Sequence, residues 1–407
     1  MTGTQSPTVP HYDPTDPAVQ ADPYPLYRTL RETDPLHWNP PGFFLLTRYA
    51  DVHALLRDPR LGADNGADNG GDTASDGDGE THTERMAGGD TPSMILMDPP
   101  GHTRLRALVN KVFTPRSIAY LHERIERIVD RLLDNWGTGE GDFVEDFAYP
   151  LPLEVICEML GVPEADRADV RDWSEDMAHL VDPVVTPETV ARGLRGRRRI
   201  VAYFRDLVAE RRRLPGEDIL SGLIRAGTEG DRLTSDELLS TAALLVVAGH
   251  ETTANMIANG MLALLRHPDQ LALLRSSGPS LVPSAVEEML RYDGPAQAVG
   301  RRALTGLDLH GVRVPRGARL VLSLGAANRD PERFPDPDRF DIARRDNRHL
   351  ALSGGAHFCV GAPLARMEAA VAFTALLRRH PHPELAAEPR WRERTGLRGL
   401  RELRVRV

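Results

Sequence analysis

Residues 233–269, LTSDELLSTAALLVVAGHETTANMIANGMLALLRHPD, carry one unbroken helical pattern. Thr234-Ser235-Asp236-Glu237 forms a capping box at its start, and His267-Pro268 ends it. The roughly 32 residues between them span about 48 Å at 1.5 Å per residue. A helix of that length crosses a whole domain. Ala242–Ala248 is apolar on every side, so the helix is buried.

Its middle is interrupted by Ala248-Gly249-His250-Glu251-Thr252-Thr253. Glycine inside a helix costs up to about 1 kcal/mol against alanine. One reading is a kink with a threonine bonded back to the i−4 carbonyl. The other is a gap where a ligand lies against the backbone, with an acid and an alcohol beside it for proton delivery. A helical bulge here would favour the second. On these residues alone the two readings are evenly matched.

A chain of 407 residues suffices for one large domain or two ordinary ones. The polar, Pro-rich start shows no signal-peptide pattern, and no run of 18 or more apolar residues appears. These features predict a cytoplasmic protein without membrane anchorage. The net charge of −9 argues against a nucleic-acid role. Residues 1–22 read as a polar N-terminal segment, and 23–407 as a single domain, mainly α with a minor β region. Near its start, Pro23–Glu32 and Tyr49–Asp58 are helical, with two strands around the turn 39–42. Residues 62–90 are rich in Gly, Asp and Asn and have almost nothing to bury. They read as a solvated loop. The EF-hand calcium pattern is absent.

Other fixed pairs are unremarkable singly. Glu288 and Arg291 share a helix face after a predicted Ser284–Glu287 capping box. His102 and Arg106 stand at i,i+4. ANRDPERFPDPDRFDIARR (327–345) is a Pro/Asp-rich meander.

The two cysteines, Cys157 and Cys359, make no disulfide framework. Cys157 sits in a plain apolar helix and reads as a buried thiol. Cys359 lies in HLALSGGAHFCVGAPLAR (349–366). Only His357 is near it as a zinc partner, and the loop announces neither a base nor an oxyanion hole. The thiol precedes a helix start, where free N–H groups favour a thiolate. Gly354 and Gly355 let backbone approach a flat object. A thiolate held this way suits an axial ligand to haem iron.

Gly355-Ala356-His357-Phe358-Cys359-Val360-Gly361 resembles the cysteine loop of the cytochromes P450. Ala248–Thr253 resembles the family's oxygen-groove segment, Glu288-Met289-Leu290-Arg291 its ExxR pair, Arg329–Phe340 its meander, and Met97–Arg106 its haem-flanking helix. These motifs keep the family's order over Pro23 to Val407. The resemblance implies the P450 fold, with the long helix crossing over a haem b, and Cys359 as axial thiolate. It places His102, Arg106, Arg301 and His357 at the haem propionates. Glu251 and Thr252 match the acid–alcohol pair that supplies protons during oxygen activation. Glu288 and Arg291 tie to the meander, with Arg333 as third member. Leu244, Val247, Ala248, Ala296, Gln297, Ala298, Val299 and Leu397 match substrate-lining positions, each of which also reads as core packing; Gln297 is the one polar candidate.

The implied activity is a monooxygenase that uses O2 to hydroxylate or epoxidise a small organic molecule, in secondary-metabolite tailoring. Electrons would come from a soluble ferredoxin and its NAD(P)H-dependent reductase, to a monomeric enzyme. Oxidative coupling or ring formation without oxygen insertion is the alternative within the fold; a non-catalytic haem binder is the alternative outside it. One departure stands out: the family's Phe-Gly at the start of the cysteine loop is Leu352-Ser353 here. Loss of the ring beside the sulfur is expected to alter the iron potential.

Overall fold

The computed structural model describes residues 11–40, 42–63, 93–182, 186–226 and 231–407. The solvated-loop reading of 62–90 therefore falls outside the described residues from Asp64 onward. Gly62, at its start, belongs to a short strand.

The central helix runs from Ser235 to Arg266, 32 residues, with both halves of the Thr234–Glu237 capping box formed. It is α-helical throughout and contains no bulge. Most of its length is buried, because a continuous apolar surface must be covered on all sides. The helices Pro150–Leu160, Arg167–Ala178, Pro187–Arg213, Val282–Asp293 and Ala362–Arg379 pack around it. Gly249 is explained here. A Cβ on it would stand 3.1 Å from Ile156, so its small size lets the central helix close on Pro150–Leu160.

The β component is small. Strands β1 (Leu36–Asn39), β2 (Phe43–Leu46), β3 (Leu61–Gly62), β4 (Ala298–Ala303) and β5 (Arg319–Ser323) form one sheet in the order β1-β2-β5-β4-β3. The β2–β5 pair is parallel and the others are antiparallel. Phe44, Leu46, Leu320 and Leu322 bury one side of the sheet; Phe43, Leu45 and Val321 bury the other against Tyr27 and Leu30.

Two expectations need correction. Residues 11–22 are not a separate segment: Tyr12 is buried against Tyr27, and Arg398 donates to the carbonyls of Gln20 and Ala21. The Ser284–Glu287 capping box does not form. The helix already begins at Val282, with Pro283 in its first turn, where a missing N–H costs nothing. Gly354 and Gly355 each let the cysteine loop close on neighbouring chain. A Cβ on Gly355 would meet the Leu56 carbonyl at 2.3 Å, and one on Gly354 the Arg57 guanidinium at 3.1 Å.

Candidate active site

Cys359 lies just before the helix Ala362–Arg379, whose N-cap is Gly361. Its own N–H donates to the Leu352 carbonyl at 3.1 Å, which closes the loop. Burial pushes the thiol up; hydrogen bonds from the Gly361 and Ala362 N–H groups and the charges of Arg106 and Arg366 pull it down, without overcoming burial. A lasting thiolate here calls for a metal cation, which deprotonates a coordinated thiol outright. Cys157 is buried with its thiol raised to about 12, the state of an inert packing group.

The loop brings His357 against His102 on the helix Gly101–Val112, ring centroids 4.2 Å apart. Arg106, one turn further on, donates to the Phe358 carbonyl at 2.5 Å. Arg301 enters from β4. Burial and the charges of Arg301, His102 and Arg106 depress His357 to about 3, so all four groups share one electrostatic neighbourhood. Burial also lowers His102, Arg106 and Arg301. Among the described residues none of the four forms an ion pair with a carboxylate, and His102 Nδ1 is buried without a hydrogen-bond partner. Buried cations need counter-charge. A cradle of two arginines and two histidines beside a cysteine sulfur fits a haem, whose two propionates supply it.

On the central helix, Ala248 is exposed while Leu244–Val247 and His250–Glu251 are buried. Open space thus meets the helix at Ala248, and Thr252 lies one turn beyond it. The Thr252 hydroxyl donates to the Ala248 carbonyl at 2.8 Å. That is the local back-bond anticipated as one reading, and the helix stays α-helical through it. Glu251 is buried. Burial pushes its carboxyl up against the pull of Arg394 and Arg392. Arg394 Nη1 stands 3.7 Å from Glu251 Oε2 and donates through Nε to Asp182 at 2.7 Å and through Nη2 to the Ala178 carbonyl at 2.7 Å. Sequence reasoning missed Arg394, which lies 143 positions beyond Glu251 in an irregular stretch.

The expected lining residues divide. Ala296 bridges to Leu397, and Val299 shares a β4 face with Arg301. Leu244 and Val247 are buried. Gln297 and Ala298 face elsewhere: Gln297 donates to the Gly294 carbonyl and borders a small cavity of about 30 Å³ with Tyr12, Tyr27 and Arg394, and Ala298 packs on the Tyr27 cluster. Alternation along β4 turns Ala298 away from the Arg301 side, whereas Gln297, just before the strand, is drawn off by its own bond to Gly294.

Glu288 and Arg291 form a fully buried bidentate pair at 2.8 Å. Arg291 also donates to the carbonyls of Asn328, Pro337 and Arg339. The third member is Arg344 rather than Arg333: Arg344 Nε reaches both Glu288 oxygens at 3.2 and 3.3 Å. Arg333 turns outward to Asp346 and rests over Phe334 and Tyr49. Glu288 is saturated by Arg291, Arg344, Asn347 and the Asp341 N–H, so no room is left for it.

Comparison with known proteins agrees with this geometry. The family model described as cytochrome P450 matches residues 188–276 and 280–391. The chain is 43% identical over 398 residues to the cytochrome P450 monooxygenase PikC of Streptomyces venezuelae, covering 95% of this chain and 91% of that one. It is 40% identical over 410 residues to a 6-deoxyerythronolide B hydroxylase of Saccharopolyspora erythraea, covering 98% and 99%. The structure of P450BioI in complex with an acyl carrier protein superposes with a TM-score of 0.87 at 37% identity, over 96% of this chain and 100% of that one. The chain belongs to the cytochrome P450 family. It is a monooxygenase, mainly α, that uses haem held by a cysteine thiolate. No helix among the described residues is long and apolar enough to cross a membrane.

Proposed function

We propose that this P450 hydroxylates or epoxidises a small organic molecule in secondary metabolism, with Cys359 as the haem ligand. The observation that carries the assignment is the gathering of His102, Arg106, Arg301 and His357 beside Cys359, none of them ion-paired to a carboxylate among the described residues, with only the charge of Asp98 acting on His102 and Arg301. Arg106, Arg301 and His102 would hold the propionates, with the His357 ring tilted against that of His102.

When bound, haem supplies the activation of dioxygen. The chain supplies the rest. The Gly361 and Ala362 N–H groups and Arg106 hold negative charge on the Cys359 sulfur. Burial raises the Glu251 carboxyl, so it holds a proton more readily than a surface carboxylate does. The Thr252 hydroxyl spends its hydrogen on Ala248, so its oxygen is free to accept one proton and pass another on. Arg394 stands 3.7 Å from the Glu251 carboxyl, buried with it at that end of the site.

Electrons would arrive from an acidic soluble ferredoxin with its NAD(P)H-dependent reductase, in the cytoplasm. In support, the surface beside the cysteine loop is a concavity of about 530 Å³ bordered by Arg57, Arg333, Arg348 and Arg366 against the one carboxylate of Glu287, with Phe358 43% exposed at its edge. Such a surface attracts an acidic partner. The relatives' names support oxygen insertion: one is a monooxygenase and one a hydroxylase. The test is turnover with a surrogate ferredoxin, its reductase and isotopically labelled dioxygen. One labelled oxygen per product supports insertion. A product that loses two hydrogens and carries no label identifies coupling instead.

A further inference from the structure

Two guanidiniums act on Cys359, and they are held differently. Arg106 rests on the Phe358 carbonyl and has no carboxylate partner among the described residues. Arg366, in the second turn of the helix that Cys359 precedes, is clamped by Glu287: Nε donates to Oε1 at 2.6 Å and Nη2 to Oε2 at 2.8 Å. His349 joins them. Its Nδ1 accepts the Ala351 N–H, which leaves Nε2 to carry hydrogen and donate to Glu287 Oε2 at 3.2 Å. Burial works against the Glu287 charge, but the bonds from Arg366 and His349 win and hold its carboxyl at about 2. His349 itself is nearly inaccessible, with 3% of its side chain exposed. A continuous chain of contacts therefore runs from the sulfur's surroundings through Arg366 and Glu287 to His349, at the head of the cysteine loop.

This arrangement does more than anchor a helix. A lone arginine beside a thiolate-ligated iron stabilises the state with the extra electron; a carboxylate held against that arginine cancels most of its field. We infer that Glu287 and Arg366 are positioning residues that set the reduction potential of the haem, Glu287 damping the positive charge that Arg366 holds near Cys359. The step they influence is one-electron reduction of ferric to ferrous haem by the redox partner, and no bond is made or broken in the pair. The pair is partly exposed, 37% for Arg366 and 29% for Glu287, so solvent screens but does not erase its field.

The inference rests on Cys359 being the ligand, and the test separates the two. The carbon monoxide complex of the reduced wild type must first show the long-wavelength Soret band of thiolate ligation. If that band is missing, the ligand assignment fails and the inference with it. With the band present, potentiometric titration of substrate-free protein against an electrode is run on four forms. Glu287→Gln uncovers the Arg366 charge and should raise the midpoint. Arg366→Gln leaves a bare carboxylate and should lower it. The double variant should return toward wild type. A merely structural pair gives no shift, or shifts of the same sign in both single variants, and either result overturns the inference. Should Arg366→Gln fail to hold haem, Glu287→Gln decides alone: an unmoved or lowered midpoint refutes the role.

Discussion

The replacement of Arg333 by Arg344 in the buried ion cluster can be tested by a graded series. Arg344 has 10% of its side chain exposed and spends Nε on Glu288, which is wholly buried. Its other nitrogens serve the carbonyls of Pro335, Asp336 and Arg339, which lie along an exposed stretch and can take water instead. Arg344→Leu therefore removes mainly one hydrogen-bonded contact to a buried charge, a loss of about 1.5–3 kcal/mol. Arg291→Met removes the bidentate partner itself and strands three more carbonyls, which places it at about 3–5 kcal/mol or beyond. Arg333→Leu loses a pair to an exposed aspartate and should change stability least. With 407 residues and about 2.1 cal/mol/K of unfolding entropy per residue, each kcal/mol moves Tm by roughly 1 °C. Calorimetry of the haem-loaded protein should give the order Arg291→Met, Arg344→Leu, Arg333→Leu from most to least destabilised. An Arg333→Leu loss equal to that of Arg344→Leu would refute the cluster as described.

Glu251→Gln with Thr252→Ala should leave the resting spectrum unchanged and cut product formed per NAD(P)H by about tenfold or more, measured by parallel product and cofactor assays; unchanged coupling removes the relay. Ser353 sits at φ +62, in the left-handed region, and its buried hydroxyl lacks a partner. Ser353→Gly should thus stabilise by roughly 0.5–1 kcal/mol, read from denaturant midpoints. Glu368 lies buried on the helix Ala362–Arg379, and burial raises its carboxyl well above the ordinary 4.5. The folded state keeps that proton where the unfolded state has lost it, so stability falls as pH rises above 4.5, by up to about 1.4 kcal/mol per pH unit until the folded group ionises. Glu368→Gln removes this slope; parallel stability–pH curves for the two proteins would count against a buried neutral acid.

Local signals in the sequence translated well into structure. The Thr234–Glu237 capping box and His267-Pro268 bound the central helix as read, because both act within one turn. The Glu288–Arg291 pair and the His102–Arg106 spacing are likewise helix geometry. Failures came where an interaction depends on distant chain. Gly249 closes against Ile156 on another helix, and Gly355 against Leu56, partners that local spacing does not reveal. Arg333 and Arg344 lie 11 positions apart in one meander, and only the turns at Asp336 and Asp341 decide which faces Glu288. Ala298 lies on the face of β4 opposite Arg301, and Gln297 is taken up by the Gly294 carbonyl, a contact that spacing alone does not reveal. Arg394 and Glu287 acquire meaning only once the tail meets the central helix and the cysteine helix meets its neighbour.

The central claim is that Cys359, and not Cys157, holds the haem. The carbon monoxide difference spectrum of the reduced protein tests it most directly. Cys157→Ser should keep the long-wavelength thiolate band at wild-type intensity, while Cys359→Ser should lose it. A Cys359→Ser protein that retained the band, or a Cys157→Ser protein that lost it while folded and haem-loaded, would contradict the account.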